Sequence, residues 1–509
     1  MAELCILSVI LMQVRDKMDL KGFIMIVDTI KMKEIEQGSG LSVDALMERA
    51  GTACAQEIAK LLTKESHVLV LCGNGNNGGD GLVIARCLQD HDTTVMMVDG
   101  DVKSEAAKRA YDALPKDMLE CRDARTAIAG ADVIVDAVYG FSFHGRLKPE
   151  LKHLFSLVAH SDAYVISIDI NSGAEADTGE HDTDAIVSDE TYALECYKPF
   201  HILRKDHRLF HKCKIVSMGL DHCTNGWPEM DEERFFASFP RKKENAYKGT
   251  YGHCTLIGGS YGMAGALILN ITGALTLGAP YIDAACPEII YPIASAGSLT
   301  PVFHPYREDD PLGVIESLLM QSNAVAFGSG CTNLKRKTDI LDFILQTASC
   351  PIILDAEALR LLDHNYFVLK FVKVPVILTP HIGEFATLVN RSIEEVMHEK
   401  IPLLKKFAHD YDAIIVLKGP NTIVASPEGE LYINRSGCQA LAQAGSGDLL
   451  TGMIAAMCTF TRNTYQAVCM AVWAHGYLSE YGLRYHSMQN FPLREYPRLM
   501  DELFKKHGF

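Results

Sequence analysis

The sequence predicts two α/β domains, the first built on a doubly wound parallel sheet. Three observations lead there. The chain has 509 residues, and single cores stop growing at roughly 250–300 residues. Short apolar runs alternate with amphipathic stretches, as in strand–helix–strand units. The runs are apolar throughout rather than alternating, the mark of strands covered on both faces, and the first four each end at Gly, Asp or Asn.

Residues 1–24 are set apart as an N-terminal extension. Their apolar run, Leu4 to Val14, is too short to span a bilayer. Glu3 and no Lys or Arg precedes it, unlike a secretory signal. Regular pattern starts just after Met25. From Lys31 to Lys60 apolar residues (Leu41, Ala45, Leu46, Ala50, Ala53, Ile58) recur at helical spacing. The runs HVLVLCG, TTVMMVDG, DVIVDAVYG and YVISIDINSG follow as buried strands, with ETYALEC and KIVSMGL as two more. A linker is expected near residues 220–235, separating domains at 25–225 and 235–509. The second α/β series runs GHCTLIGGS, APYIDAAC, NAVAFGSG, PIILDAEAL, PVILTPH and AIIVLKGPNTIVAS. The small-residue helix after AGSGDLLTG implies tight packing. In doubly wound sheets ligands bind off the carboxyl ends of the strands. The loop at 73–81, Asp136 and Asp169 all fall there.

Net charge is −16, a poor match for nucleic acid or an anionic membrane. The fifteen cysteines include no C-x-x-C pair or zinc spacing, so free thiols in a reducing cytoplasm are expected. Small-molecule partners and a homo-oligomer complete the expectation.

The loop Gly73-Asn-Gly-Asn-Asn-Gly-Gly-Asp-Gly81 sits between a strand and a helix. Gly73, Gly75 and Gly78 match the dinucleotide fingerprint, which would bring backbone N–H groups to a phosphate. Asp99 could then hold a ribose. Asn76, Asn77 and Asp80 add carbonyl and carboxylate oxygens suited to a cation or a polar ring. In the second half, Gly445-Ser446-Gly447 before a helix forms an N–H pocket for an anion. Asp448 follows in the first turn, where it can act as base toward a hydroxyl attacking a phosphoryl group. Lys418, ending the apolar strand AIIVL, is read as pointing into a site.

Four blocks, LMERAG (46–51), GNGNNGGDGLVIAR (73–86), VDAVYGFSFHGR (135–146) and SIDINSGAEADTG (167–179), resemble the NAD(P)H-hydrate epimerase family. The resemblance implies a Rossmann-like domain that interconverts the R and S hydrates of NAD(P)H. It places Asn76, Asn77, Gly78, Gly79, Asp80, Gly140, Phe141, Ser142, Phe143, His144, Gly145, Arg146 and Asp169 on the substrate. Asp169 is the implied acid/base, and Asn77, Asp136 and Ser172 would hold potassium. Asn171 stands where the family usually has proline, which predicts a looser loop. Residues 240–509 resemble the ADP-dependent NAD(P)H-hydrate dehydratases, which are ribokinase-like. That implies magnesium and ADP, which is converted to AMP and phosphate. Ala266, Gly330, His381 and Asp448 would contact the hydrate. Lys418, Gly419, Pro420, Asn421, Thr422 and Gly447 would line the nucleotide, with Glu384 a further magnesium or water ligand. Glu357 and Cys331 depart from the family pattern, Cys331 and Thr332 being expected to narrow the pocket.

Three alternatives stand beside this reading. The chain could be a ribokinase-like small-molecule kinase with a regulatory N-terminal nucleotide-binding domain. The N-terminal half could be a binding module without catalysis. A Rossmann dehydrogenase fits least, for want of a hydride-transfer substrate domain.

Overall fold

The computed structural model describes residues 25–119, 123–204, 206–220, 227–245, 252–362 and 365–509; the extension at 1–24 lies outside them. The chain divides between Pro228 and Glu229 into two compact units. Among the described residues no helix is long and apolar enough to cross a membrane.

After the two-residue strand Met25–Ile26 the N-terminal unit forms two helices, α1 (Thr29–Gly38) and α2 (Val43–Ala59), over the stretch read at helical spacing. Two Asx/Ser caps explain the division. Asp28 accepts from the Lys31 amide and starts α1; Ser42 accepts from the Ala45 amide and starts α2. Between them Gly40 turns at φ +69°, a left-handed conformation that costs glycine little.

Six parallel strands follow: β1 (His67–Cys72), β2 (Asp92–Met97), β3 (Val133–Ala137), β4 (Tyr164–Ile168), β5 (Ser188–Leu194) and β6 (Phe210–Val216). Their order is β2-β1-β3-β4-β5-β6. All six predicted runs form strands, and those of the sheet centre are buried on both faces. The chain reverses its direction of winding between β1 and β3, which opens a crevice at their carboxyl ends. Helix α3 (Asn76–Cys87) starts there.

The C-terminal unit carries a nine-stranded sheet. Its strands are β7 (His253–Ile257), β8 (Ile282–Pro287), β9 (Val302–Tyr306), β10 (Ser322–Phe327), β11 (Ile352–Leu354), β12 (Val376–Leu378), β13 (Ala413–Leu417), β14 (Ile423–Ala425) and β15 (Leu431–Ile433). The order is β9-β8-β7-β10-β11-β12-β13-β14-β15, parallel as far as β13 and antiparallel beyond. The winding reverses between β7 and β10. Two helices cover this point, α4 (Ala264–Thr276) and α5 (Ser446–Phe460). Their backbones nearly touch. A Cβ on Gly273 would lie 2.0 Å from the Leu449 carbonyl oxygen, and one on Gly452 would lie 1.8 Å from that of Asn270. The expected tight packing is therefore glycine on backbone, and it seats the start of α5 over the sheet.

Candidate active sites

In the N-terminal unit the glycines of the loop divide between close packing and open space. A Cβ on Gly73 would lie 2.0 Å from the Val138 carbonyl oxygen, and one on Gly78 would lie 1.9 Å from that of Gly73. Gly79 is pressed against Met47, and Gly81 against Ala137 and Cys72. Of the fingerprint glycines only Gly75 faces open space. Asp99 is likewise committed elsewhere, its carboxylate 2.5 Å from the Lys148 ammonium. The first and third glycines pack while the second stays open, the division the dinucleotide fingerprint requires; the Asp99–Lys148 pair is the departure from that reading.

The polar residues of the loop behave differently. Both amide atoms of Asn77 are buried without a hydrogen-bond partner, a costly state that a ligand would relieve. Gly140 packs directly against this side chain, so the two loops meet as expected. Asn76 Oδ1 accepts from Ser104 Oγ at 2.5 Å. Asp80 is buried; burial first, then the charges of Asp169 and Glu36, push its carboxyl well above the usual range. Among residues 141–146, Phe143 stacks on Tyr139 and Phe141 is half-buried. Ser142, His144, Gly145 and Arg146 are exposed at the rim.

Asp136 is fully buried at the end of β3. Its Oδ1 accepts from Ser172 Oγ (2.5 Å) and the Val138 amide; its Oδ2 accepts from Ser167 Oγ and the Ser172 amide. Burial still holds this carboxyl above its ordinary value against those four donors. Asn171 does not loosen the loop. Its Nδ2 donates to the Ile186 carbonyl, Ser188 Oγ and the Leu209 carbonyl, and its Oδ1 accepts from Thr191 Oγ1. A fully satisfied amide replaces the rigidity of a proline ring, which corrects the expectation of looseness.

Asp169 follows β4 with φ +66°, in the left-handed region that aspartate visits more readily than most residues. Its Oδ1 accepts from Lys198 Nζ at 2.6 Å and from the Leu194 amide. Lys198, absent from the sequence reading, is completely buried. Its position, four residues beyond a recognised strand, was the available signal.

In the C-terminal unit the predicted residues converge at the β7–β10 crevice. A Cβ on Gly330 would sit 2.8 Å from that of Ala266, so these two residues touch. Cys331 is fully buried with Sγ 3.6 Å from the Ser329 carbonyl oxygen. It fills the loop interior instead of narrowing the pocket. Lys418 immediately follows β13, and residues 418–422 form the turn into β14; Asn421 Nδ2 donates to the Asn434 carbonyl just beyond β15. The Lys418 ammonium would lie 3.3 Å from a Cβ on Gly447, which brings the two nucleotide segments together.

Asp355 organises this site, another residue the sequence reading did not select. It is buried after β11. Oδ1 accepts from Lys418 Nζ (2.8 Å) and Thr379 Oγ1 (2.7 Å), and Oδ2 from Thr451 Oγ1 (3.0 Å) and Ser329 Oγ (3.4 Å). Burial alone would raise its pKa; Lys418 and the hydroxyls hold it below the ordinary value. Glu357 points its charge elsewhere, to Lys337 at 2.6 Å. Asp448 stands in the first turn of α5, its carbonyl held by Asn270 Nδ2 at 2.7 Å. Burial, then the Asp355 charge, push its carboxyl up to about 6, the range of a carboxylate base working near neutrality.

His381 is largely a helix cap. Its Nδ1 accepts from the Gly383 and Glu384 amides, while Glu384 reaches back to the His381 amide. Only Nε2 remains for a ligand, 3.5 Å from Glu384 Oε1. Among the described residues no group of three or more His, Cys, Asp or Glu side chains could hold a metal ion.

The NAD(P)H-hydrate dehydratase family model matches residues 254–494, and the model of the YjeF-related protein N-terminus matches residues 43–200. The bifunctional NAD(P)H-hydrate repair enzyme of Moorella thermoacetica is 28% identical over 459 residues, covering 85% of this chain and 86% of its own. That of Escherichia coli is 29% identical, covering 88% and 87%. The solved ADP/ATP-dependent NAD(P)H-hydrate dehydratase of Bacillus subtilis, co-crystallized with ATP/Mg2+, is 31% identical with a TM-score of 0.50. It covers 56% of this chain and 99% of its own. An Enterococcus faecalis ribokinase-like protein, 20% identical with a TM-score of 0.50, shares the fold of the second unit. With both halves matched, in order and over most of its length, the chain belongs to the bifunctional NAD(P)H-hydrate repair enzyme family.

Proposed function

We propose that the N-terminal unit interconverts R and S hydrated NAD(P)H and that the C-terminal unit dehydrates the S form, converting ADP to AMP and phosphate. The observation that carries this is the meeting of Lys418, Gly447 and Asp448 at one crevice. Lys418 and the N–H groups at the start of α5 suit a phosphoryl group. Asp448 takes the proton of the ring hydroxyl as its oxygen attacks the terminal phosphoryl of the nucleotide. The hydroxyl becomes a phosphate ester, a better leaving group. Loss of phosphate and a neighbouring ring proton restores the dihydronicotinamide. Ala266 and Gly330 form the small-residue wall against which the hydrate lies.

In the N-terminal unit Asp169 stabilises the cationic ring formed as hydroxide leaves. The unpartnered Asn77 amide, the Asp136 carboxylate and the Ser172 hydroxyl are hard oxygen donors and fit potassium. These three would hold the ion, which supplies fixed positive charge beside the substrate. Magnesium would accompany the nucleotide phosphates, with Glu384 the candidate protein ligand. The twelve free cysteines among the described residues suit a reducing cytoplasm. A homo-oligomer would cover Ile289, Ile293 and Leu299, exposed apolar residues of the second unit.

The test is to give the purified chain mixed R and S hydrated NADH with magnesium, potassium and ADP or ATP. Return of dihydronicotinamide absorbance is followed. Full recovery with one nucleotide is expected, falling to the S portion alone in Asp169→Ala. No recovery with either nucleotide returns the second unit to the small-molecule kinase reading.

A further inference from the structure

The N-terminal unit holds a buried ion pair that the assignments above leave without a task. Lys198 Nζ donates to Asp169 Oδ1 at 2.6 Å and to the Leu194 carbonyl at 2.7 Å. The lysine is 0% exposed and Asp169 2%. Burying an ammonium costs several kcal/mol unless it is paired and hydrogen-bonded, so a fold seldom keeps one without a use for it.

A second tie joins the same two residues. His201, on the short helix Pro199–Leu203, accepts the Lys198 amide on Nδ1 (2.8 Å). Its Nε2 donates to the Asp169 carbonyl (2.8 Å). Burial, then the Lys198 charge, push the His201 imidazole down to about 4, which keeps it neutral with one nitrogen of each kind. Side chain and backbone of Asp169 are thus held from one segment, residues 198–201, and the residue stays in its left-handed conformation. Oδ1 takes both hydrogen bonds; among the described residues Oδ2 accepts none.

We propose that Lys198 is a positioning residue of the N-terminal site: with His201 it locks Asp169 in place and balances its charge, leaving Oδ2 for the substrate. This rests on the reading of that unit as an epimerase. The pairing assigns Asp169 the work of a fixed negative charge opposite a cationic ring. Without the ammonium, Asp169 would stand near Glu36, Cys54, Asp80 and neutral His201, none of which balances a negative charge.

The experiment uses the full chain with Lys198→Met, which keeps the apolar stem, and measures epimerisation of hydrated NADH from pH 6 to 9. The expected result is a fall in kcat of about 100-fold with KM within about threefold, the pattern of an interaction used in the transition state. The residual rate should climb with pH more steeply than that of the native chain, as unpaired Asp169 ionises. Native kcat, a loss confined to KM, or an unchanged pH profile would overturn the proposal. Dehydration of the S hydrate by the same variant should be native. If Lys198→Met does not fold, Lys198→Gln, which keeps a neutral hydrogen-bond donor on a shorter stem, is judged by the same kcat, KM and pH criteria. Absence of epimerisation in the native chain would instead overturn the epimerase reading itself.

Discussion

Each unit contains a buried aspartate just beyond a strand, paired with a lysine brought in from another strand end. The separations are 2.6 Å for Asp169–Lys198 and 2.8 Å for Asp355–Lys418. The surroundings invert the roles. Asp355 receives four donors, two on each oxygen; it anchors Lys418, whose ammonium lies beside Gly447 in a partly open position. Asp169 keeps one oxygen clear, and there the lysine is the sealed partner. The same ion pair therefore presents a cation to a phosphoryl group in one unit and an anion to a cationic ring in the other. What decides is which member carries the remaining hydrogen bonds.

The largest expected effect breaks the C-terminal site at its base. Asp448→Asn should lower dehydration by about 10²–10⁴-fold and leave R–S interconversion intact, as read by chiral separation of the hydrates. Lys418→Met should raise the KM for nucleotide. It should also destabilise the second unit by about 3–5 kcal/mol, because Asp355 remains buried without its cation; thermal unfolding checks the second part. Asn171→Ala removes the two Nδ2 hydrogens shared among three buried acceptors and should cost about 2–4 kcal/mol, seen as a lower denaturant midpoint.

A pH measurement sharpens the comparison further. Asp448 must be ionised to act, so the dehydration rate should fall as pH drops through about 6. The Asp355 charge is one cause of that high value. Asp355→Asn should therefore move the acid limb to lower pH, while epimerisation by the same variant keeps its native pH profile. An unmoved limb would show that the two carboxylates are not coupled. The smallest effect is expected at Gly75→Ala, with stability within about 0.5 kcal/mol of native, since nothing lies within 4 Å of the added Cβ. Gly78→Ala, which drives a methyl into the Gly73 carbonyl, is the contrasting variant and should unfold the crevice.

Sequence alone carried a great deal here. Continuous apolar runs ending in Gly, Asp or Asn located four strands of the first sheet, because strands buried on both faces need apolar side chains throughout; ETYALEC and KIVSMGL, without that ending, supplied the other two. Local motifs located Asn77, Asp136, Asp448 and Gly447 at strand ends and helix starts, where backbone groups are free to meet a ligand. Other features were decided by tertiary contact. Lys198 reaches Asp169 across 29 positions and Thr451 reaches Asp355 across 96. No local pattern records such pairings. The glycines of the first loop carry the same lesson: their spacing suggested a phosphate, and only the tertiary contacts show that Gly73 and Gly78 pack on backbone while Gly75 stays open. A short-range motif states which conformations a segment can adopt. Which charge is sealed, which is left open and which glycine faces a ligand depend on the neighbours that folding brings alongside.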